Sequence, residues 1–411
     1  MQQYLEEHYD DEIIVYPPEL LSSLSSAIPE VRSIACKSLR WYQYVFLLIS
    51  SHNGQKSNQD RVLVYSSDQF HAIILAVFDG HGKYGHCVAS FIRHTFLINF
   101  SNKESCSAQY GVVSSLQEAD TMLRTNPHVN SRLSGCTANI GCLYYDILGR
   151  LCYSSVFIGD SESVMCGEMI SRSVMVVRKN NGSRIQLALS EIHNPSDPKE
   201  KERIERYKGY VKELKIHPAV PAVPRVFMDE QCTRGGLAMS RSIGDQLMHE
   251  FGVSSELAKK QVYLSDYPNT EILIVIGSDG LLGYMKKDKI LACFPFESEP
   301  DLASALTRAC EKSQAYQLKL SKQRYADDTS GIAVRLHVLS VCPITFQQTL
   351  QNYSRPSKKL FPLSSTNRKA GKSTTSIFQI ASIPSSGYSK HSTFLIFSFA
   401  NTAAGPPILP K

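Results

Sequence analysis

Val77-Phe78-Asp79-Gly80-His81-Gly82 is the stretch on which the interpretation of this chain depends. It closes an apolar run, 71–78, whose β-branched and aromatic residues predict a buried strand. Asp79 supplies a hard oxygen ligand, Gly80 has no Cβ to keep an ion from its carbonyl, and His81 titrates near neutral pH. Because Asp-Gly is also a common turn signal, the stretch alone leaves a metal site and a plain turn both open.

Length and charge limit the classes of function. With 411 residues, 43% of them hydrophobic, the chain is long enough for one large domain or two ordinary ones. Its net charge of +6 is uneven, since residues 341–411 hold eight Lys or Arg and no Asp or Glu. The rest has 44 − 8 = 36 basic against 38 acidic residues, a net −2. This near-neutral body predicts no nucleic-acid partner.

Cysteine usage and the termini indicate the compartment. The chain has 11 cysteines and no C-x-x-C pair, which is typical of reduced thiols in a cytoplasmic or nuclear protein. The acidic start, residues 1–11, does not resemble a secretory signal. Apolar stretches such as 44–49 and 394–400 fall far short of the roughly 20 residues that a membrane span needs. We therefore expect a cytoplasmic or nuclear location and no membrane partner.

Composition divides the chain into three parts. Residues 1–40 are predicted to form a polar leader with a short helix, 41–340 a folded domain, and 341–411 a basic, Ser/Thr-rich disordered tail. Within the domain, 193–234 is charged and rich in proline and contains a predicted helix, 199–207. This segment is either a mobile insertion over a site or an ordinary surface excursion.

Hydrophobic periodicity predicts an α+β domain. Strands outnumber helices and come in neighbouring pairs, which favours antiparallel sheets with helices outside them. The remaining predicted helices are 85–99, 114–124 and 301–318. The predicted strands are 42–50, 61–65, 72–78, 138–145, 151–158, 173–177, 271–276 and 331–337.

Three further aspartates lie at strand boundaries beside small residues: Asp60, Asp279 and Asp327. Each alone is more typical of a turn or a helix cap. Together with Asp79 they are expected to converge, and converging carboxylates stay ionised only if a cation neutralises them. Oxygen ligands without a Cys/His pattern favour Mg²⁺ or Mn²⁺, and two such ions would activate water and polarise a phosphoryl group.

These motifs, in this order, resemble the metal-dependent serine/threonine protein phosphatases of type 2C over residues 42–338. The resemblance implies a four-layer α-β-β-α sandwich, in which two antiparallel sheets flanked by helices hold a binuclear metal site in the cleft between them. The matching segments are Asn58-Gln59-Asp60-Arg61, Val77 to Gly82, Ser134-Gly135-Cys136-Thr137-Ala138, Ile158-Gly159-Asp160-Ser161, His193-Asn194-Pro195, Glu202-Arg203-Ile204, Gly236 to Asp245, Gly277-Ser278-Asp279-Gly280-Leu281 and Asp327-Asp328-Thr329-Ser330.

The resemblance also implies a ligand set for two Mg²⁺ or Mn²⁺ ions per chain. Asp79 would bridge both metals, the Gly80 carbonyl would bind one, and Asp279 and Asp327 would hold the other. Asp60 would belong to the same centre by orienting metal-bound water.

For the reaction, the resemblance implies hydrolysis of phosphoserine and phosphothreonine in proteins by attack of a metal-bridged hydroxide on phosphorus. His81 would act as general acid to the leaving oxygen. The implied partner is a phosphoprotein substrate, the chain is expected to be a monomer, and 193–234 would be a substrate-facing flap.

Several positions depart from the family pattern. A phosphate-binding Arg or Lys is common five residues before Asp60, where this chain has Gln55 with Lys56 beside it, so Lys56 is the candidate phosphate-binding residue. Arg132 and Gly283 stand where the family can have acidic residues, and Gln59 where it often has Glu. These departures motivate an alternative, a pseudophosphatase that acts as a binding or scaffold module. A different two-metal phosphoester hydrolase is a third, weaker interpretation.

Overall fold

The computed structural model describes residues 1–17, 28, 31–39, 58–103, 107–169, 185–215, 222–294, 301–322 and 326–338. All of them lie in one unit, Met1–Thr345. The predicted strands 42–50 and 173–177, the candidate Lys56 with its neighbour Gln55, and the predicted tail 341–411 lie outside the described residues.

The described secondary structure is mixed, with strands in the majority. The helices are α1 Gln2–Glu7, α2 Gly85–Ser101, α3 Ala108–Thr125, α4 Pro198–Arg206, α5 Gln246–His249, α6 Asp279–Leu282, α7 Lys287–Leu291 and α8 Leu302–Leu320, with a short 3₁₀ helix Leu264–Asp266. The strands are β1 Ile13–Tyr16, β2 Val31–Leu39, β3 Arg61–Ser67, β4 Ala72–Phe78, β5 Gly80–His81, β6 Gly135–Cys136, β7 Ala138–Tyr145, β8 Leu151–Ile158, β9 Glu162–Met169, β10 Ile185–Ala188, β11 Tyr210–Leu214, β12 Val223–Phe227, β13 Gly235–Leu237, β14 Ile243–Gly244, β15 Ala258–Tyr263, β16 Thr270–Gly277 and β17 Thr329–Val338.

Two large sheets form the centre of the described structure. The first has six strands in the order β1-β3-β4-β7-β8-β15, and the second has five in the order β10-β9-β16-β17-β2. Every pairing in them is antiparallel except β1 with β3, which run parallel. Two small three-stranded sheets, β14-β6-β5 and β11-β12-β13, lie apart from the large ones.

Strand β4 is apolar throughout because both of its faces are buried. Successive side chains of a strand point to opposite faces, and both faces of β4 are covered. Ile73, Leu75 and Val77 join one hydrophobic cluster with residues of the five-stranded sheet. Ile74 and Phe78 join another cluster with residues of α2 and α3.

The other face of the five-stranded sheet packs on α6, α7 and α8 in a third hydrophobic cluster, which includes Val275 and Leu306. The layers are therefore helices, sheet, sheet, helices, as the four-layer fold predicts. Strands β4, β7 and β8 have the predicted bounds, and all four predicted helices are present. Three of them end within two residues of the prediction, whereas α3 begins at Ala108, six residues before its predicted start.

The prediction that residues 1–40 form a polar leader is wrong. Strand β1 pairs with β3 from Ile13↔Val62 onward, and β2 pairs with β17 from Thr329↔Leu39 onward. Leu5 and Ile14 are buried in the cluster between the six-stranded sheet and its helices. The described N-terminal residues are thus part of the folded domain, because their backbone completes an edge of each large sheet.

Candidate metal centre

Three carboxylates meet at one end of the sandwich. Carboxylate oxygens of Asp79, Asp160 and Asp279 all lie within 4.8 Å of one another. Each aspartate follows the end of a strand, β4, β8 and β16 respectively. With Asp327 they line a cavity of about 380 Å³.

The electrostatics of this cluster are those of a cation site. Burial, with the charges of Asp60 and Asp279, raises the pKa of Asp79 well above its usual range. Burial and Asp327 do the same to the pKa of Asp279. Burial also raises the pKa of Asp160 to about 6, although nearby His81 lowers it. Such crowded carboxylates ionise together only when positive charge is supplied.

Asp60 lies behind the cluster and is fully buried. Both of its carboxylate oxygens are buried. Burial and the neighbouring Asp328 raise the pKa of Asp60 to about 7, although the side chains of Ser330 and Ser278 act in the opposite direction. A buried carboxylate is costly to keep ionised, and a nearby cation would lower that cost.

The donor set fits Mg²⁺ or Mn²⁺, because it offers only hard oxygen atoms. Gly80 adds a backbone carbonyl in a crowded position, where a Cβ would lie 2.5 Å from the Gly85 carbonyl oxygen and 2.7 Å from that of Gln59. Glycine is therefore needed for the Asp79–Gly80 turn to sit against these neighbours.

Hydroxyl groups join the loops that carry Asp79 and Asp160. The Asp79 N–H donates to Thr137 Oγ1 (3.2 Å), and the Thr137 N–H donates to the Asp79 carbonyl (2.8 Å). Thr137 Oγ1 is 2.6 Å from Ser161 Oγ, next to Asp160. The two aspartates are thus positioned by one short hydrogen-bond chain.

Helix α8 joins the loops that carry Asp279 and Asp327. The buried Gln317 side chain donates to the Gly280 carbonyl (2.7 Å) and accepts from the Asp327 N–H (2.6 Å). Ser313 Oγ donates to the same Gly280 carbonyl (2.7 Å). The outer helix therefore fixes the spacing of two candidate ligands.

His81 is held by a buried aspartate. Its Nε2 lies 2.6 Å from Oδ2 of Asp245, which also accepts from Ser242 Oγ (2.7 Å). Burial lowers the pKa of His81, but the attraction of Asp245 outweighs it, and the net shift is upward. The pair presents an oriented imidazole at the cavity, beside the carboxylates.

The described residues of 193–237, which we call the covering element, contribute to the wall of the cavity. Strands β11, β12 and β13 form its sheet, and Arg225 on β12 lines the cavity with Gly235 and Leu237. That 193–234 is a substrate-facing flap stays a prediction. Among the described residues that line the cavity, one is an Arg or Lys, namely Arg225. Its charge lowers the pKa of Asp160, so positive charge stands opposite the cluster.

A buried ion cluster anchors helix α4 of this covering element. Glu200 accepts from Arg241 Nη2 (2.6 Å), Arg203 Nη2 (2.8 Å) and Ser240 Oγ (2.6 Å). Burial alone would raise the pKa of Glu200, but these hydrogen bonds, led by those of Arg241, lower it to about 2. The ionised Glu200 therefore ties α4 to the 240–241 segment.

Replacing Glu200 with Gln should destabilise the protein at pH 7 by about 3 kcal/mol, because it removes the buried counter-charge of two half-buried guanidinium groups and leaves Arg241 with only the exposed Glu256. Since the pKa of Glu200 is lowered by folding, its contribution is present above pH about 4.5 and is lost as the pH falls toward 2. The stability difference between wild type and Glu200→Gln should thus narrow by roughly 1 kcal/mol between pH 7 and pH 3.5 in urea unfolding. A difference that does not change with pH would contradict this.

Of the predicted site residues, Asp79, Gly80, His81, Asp279 and Asp327 line one cavity, and Asp60 lies beside them. Their individual roles stay predictions. Lys56 lies outside the described residues, so its proximity to the cavity stays a prediction as well.

Sequence reasoning missed Asp160, Asp245 and Gln317. Asp160 has the same signal as the others, an aspartate beside glycine at a strand end, and that signal identifies it in retrospect. Asp245 also follows a glycine, Gly244, at the end of β14. Gln317 shows no such signal, because it reaches Asp327 from the outer helix α8.

Comparison with solved structures identifies the fold. A sex-determining protein of C. elegans superposes with a TM-score of 0.54 and 19% identity over 76% of this chain and 66% of its own. A serine-threonine phosphatase 2C from Toxoplasma gondii superposes with a TM-score of 0.54 and 16% identity, and the match covers 74% of this chain and 94% of the Toxoplasma chain. Both likenesses identify the fold, a sandwich of two sheets flanked by helices.

The family follows from sequence. Residues 45–319 match the family model of protein phosphatase 2C, and the chain belongs to that family of metal-dependent protein phosphatases. The probable protein phosphatase 2C 41 of Arabidopsis thaliana is 27% identical over 264 residues, 59% of this chain and 69% of the relative. The probable protein phosphatase 2C 73 of the same plant is 27% identical over 316 residues, which are 70% of this chain and 78% of the relative. In the described part of the chain, no helix has the length and apolarity required to cross a membrane.

Proposed function

We propose that this protein hydrolyses phosphoserine and phosphothreonine in proteins with two Mg²⁺ or Mn²⁺ ions held by Asp79, Gly80, Asp279 and Asp327, with Asp60 beside them. The observation that carries the proposal is the convergence of Asp79, Asp160 and Asp279 within 4.8 Å, inside a cavity that also contains His81. When bound, the two ions supply the positive charge that the carboxylates need and lower the pKa of water.

The remaining steps belong to the chain's own residues. Arg225 places a positive charge in the cavity, which favours an entering phosphate group. Buried Asp60 would accept a hydrogen bond from the attacking water. The water oxygen bonds to phosphorus and releases a proton to solvent, the phosphorus–ester oxygen bond breaks, and the seryl or threonyl oxygen leaves with a proton from His81, whose orientation Asp245 fixes.

A small aryl phosphate tests this function. The purified chain should release phosphate in Mn²⁺, stop when a chelator is added, and resume when the ion is restored. A folded chain without turnover in Mn²⁺ would contradict the proposal and favour the pseudophosphatase alternative.

The pseudophosphatase alternative rests on the departures from the family pattern. Arg132 and Gly283, two of these departures, are both exposed. The Gly283 N–H donates to the carbonyl of Asp279, a member of the carboxylate cluster (2.6 Å). Gln59 has a structural role, since its side chain donates to the Gly82 carbonyl (2.7 Å). None of these three substitutions removes a carboxylate from the cluster.

His81→Gln should impair phosphopeptide hydrolysis more than aryl phosphate hydrolysis. An alkyl oxygen needs a proton to leave, an aryl oxygen needs it less, and glutamine cannot act as the acid. We expect kcat to fall about 10²-fold on a phosphothreonine peptide and less than about tenfold on an aryl phosphate. The exposed His128 offers a matched control, His128→Gln, which should change neither rate. Equal losses on both substrates would show that His81 is not the acid.

A further inference from the structure

The mouth of the cavity carries a basic rim, which we define as Lys83, Arg132 and Arg234. All three side chains are exposed. Each is next in the chain to a residue that lines the cavity, namely Gly82, Leu133 and Gly235. The rim therefore lies where the residues on either side of a phosphorylated side chain would pass.

Backbone contacts hold the first two rim positions on adjoining loops. The Tyr84 N–H donates to Ser134 Oγ (3.0 Å), which ties the 82–84 loop to the 131–134 loop. A Cβ on Gly82 would lie 2.5 Å from the Leu133 carbonyl oxygen. The Leu247 N–H donates to the Arg132 carbonyl (3.0 Å) and fixes the second loop to α5. Lys83 and Arg132 thus project from neighbouring, anchored backbone.

The third rim position belongs to the covering element. Gly235, beside Arg234, lies over α5, because a Cβ there would be 3.2 Å from Met248 Cε. The same helix is bonded to the 131–134 loop, so α5 links the backbone at Arg234 to the backbone at Arg132 beside the cavity.

The rim side chains form no close ion pairs. Among the described residues, none of the three forms an ion pair. Lys83 Nζ lies 5.2 Å from the centre of the Tyr84 ring. Arg234 has an acidic neighbour in Asp229, whose carboxylate accepts a hydrogen bond from the Arg234 backbone N–H and interacts with its charge. The acidic side chains of the metal centre are half-buried in the cavity, below this rim. An incoming peptide thus meets positive charge first.

We propose that the basic rim selects phosphorylated serine or threonine residues that are flanked by acidic residues. The inference rests on the proposed phosphatase function and adds the substrate class. Exposed charge pairs of this kind each change affinity by roughly two- to fivefold. Three of them, together with electrostatic steering of the encounter, give a preference of about tenfold or more for an acidic peptide over a basic one.

The test uses three phosphothreonine peptides of equal length whose flanking residues are Asp and Glu, Ala only, or Lys and Arg. For the full chain, kcat/KM is measured in Mn²⁺, and the dissociation constant, from fluorescence anisotropy, is measured with a chelator in place of Mn²⁺, each at low and high ionic strength. For the acidic peptide we expect a kcat/KM about tenfold higher and a dissociation constant about tenfold lower than for the basic peptide, with a smaller difference at high salt. Equal values for the two peptides at low salt, or a preference for the basic one, would overturn the proposal.

Charge reversal assigns the preference to the rim. Arg132→Glu should lower the acidic-to-basic ratio at least fivefold. Lys259→Glu makes the same charge change at an exposed position on the edge strand β15, away from the cavity, and should leave the ratio unchanged. Equal ratios in the two variants would overturn the assignment. Because affinity is read without turnover, an acidic preference in binding without hydrolysis would support the rim and contradict the proposed phosphatase function.

Discussion

Replacing Asp79 with Asn is expected to reduce phosphate release by about 10³-fold, because the ligand at the centre of the carboxylate cluster is lost, and an active-site metal contributes several kcal/mol to catalysis. The same change should not destabilise the metal-free protein. Burial and the charges of Asp60 and Asp279 oppose ionisation of Asp79 there, so a neutral amide relieves repulsion.

Thermal unfolding separates this account from simple misfolding. Mn²⁺ at about 100 times its dissociation constant should stabilise the wild type by about 2.7 kcal/mol, and Asp79→Asn should lose most of that gain. Asp288→Asn, at an exposed position in α7, makes the same chemical change as a control and should behave like the wild type. An Asp79→Asn protein that keeps both its turnover and its Mn²⁺ response would exclude Asp79 as a ligand.

Arg93→Met is expected to destabilise the protein by about 3–5 kcal/mol. Arg93 on α2 is fully buried, and its guanidinium donates to the backbone carbonyls of Tyr9 (2.8 Å) and Asp11 (2.6 Å). Burial and the nearby Arg61 lower the pKa of Arg93 to about 9, so it remains charged at pH 7. Methionine would fill much of the space but leave both carbonyls without their donor.

Urea unfolding measures this loss. Arg206→Met is the matched control, because Arg206 forms an exposed ion pair with Glu202 and its removal should cost less than about 1 kcal/mol. Deleting residues 1–12 should destabilise the wild type about as much as Arg93→Met does. If Arg93→Met is as stable as Arg206→Met, the N-terminal residues do not support the domain in the way described.

The strands that sequence predicted well are those with a continuous apolar run. Both faces of β4 are buried, so every residue of it carries the signal. The missed strands are edges or have mixed patterns. Strand β15 pairs only with β8 among the described strands and carries Lys259 and Lys260, and β2 includes Arg32 and Lys37 and a register shift against β17. Polar edge strands acquire their structure from the neighbour that they join, which local sequence does not record.

The site was predictable to the extent that its candidate ligands lie at strand boundaries. Asp79 and Asp279 follow β4 and β16, and Asp327 precedes β17. Antiparallel pairing brings the end of one strand beside the start of the next. The contacts that orient the site residues were not predictable. Asp245, for example, is 164 positions from His81 and pairs with it only in the folded chain. Gln317 likewise reaches two loops from a helix on the outer layer.

The most direct measurement of the central claim is anomalous diffraction at the manganese edge from crystals soaked in Mn²⁺. The account predicts two anomalous peaks in the cavity, bounded by the carboxylates of Asp79 and Asp279 and the Gly80 carbonyl, and their loss in Asp79→Asn crystals. An empty cavity at saturating Mn²⁺, or peaks confined to the protein surface, would contradict it.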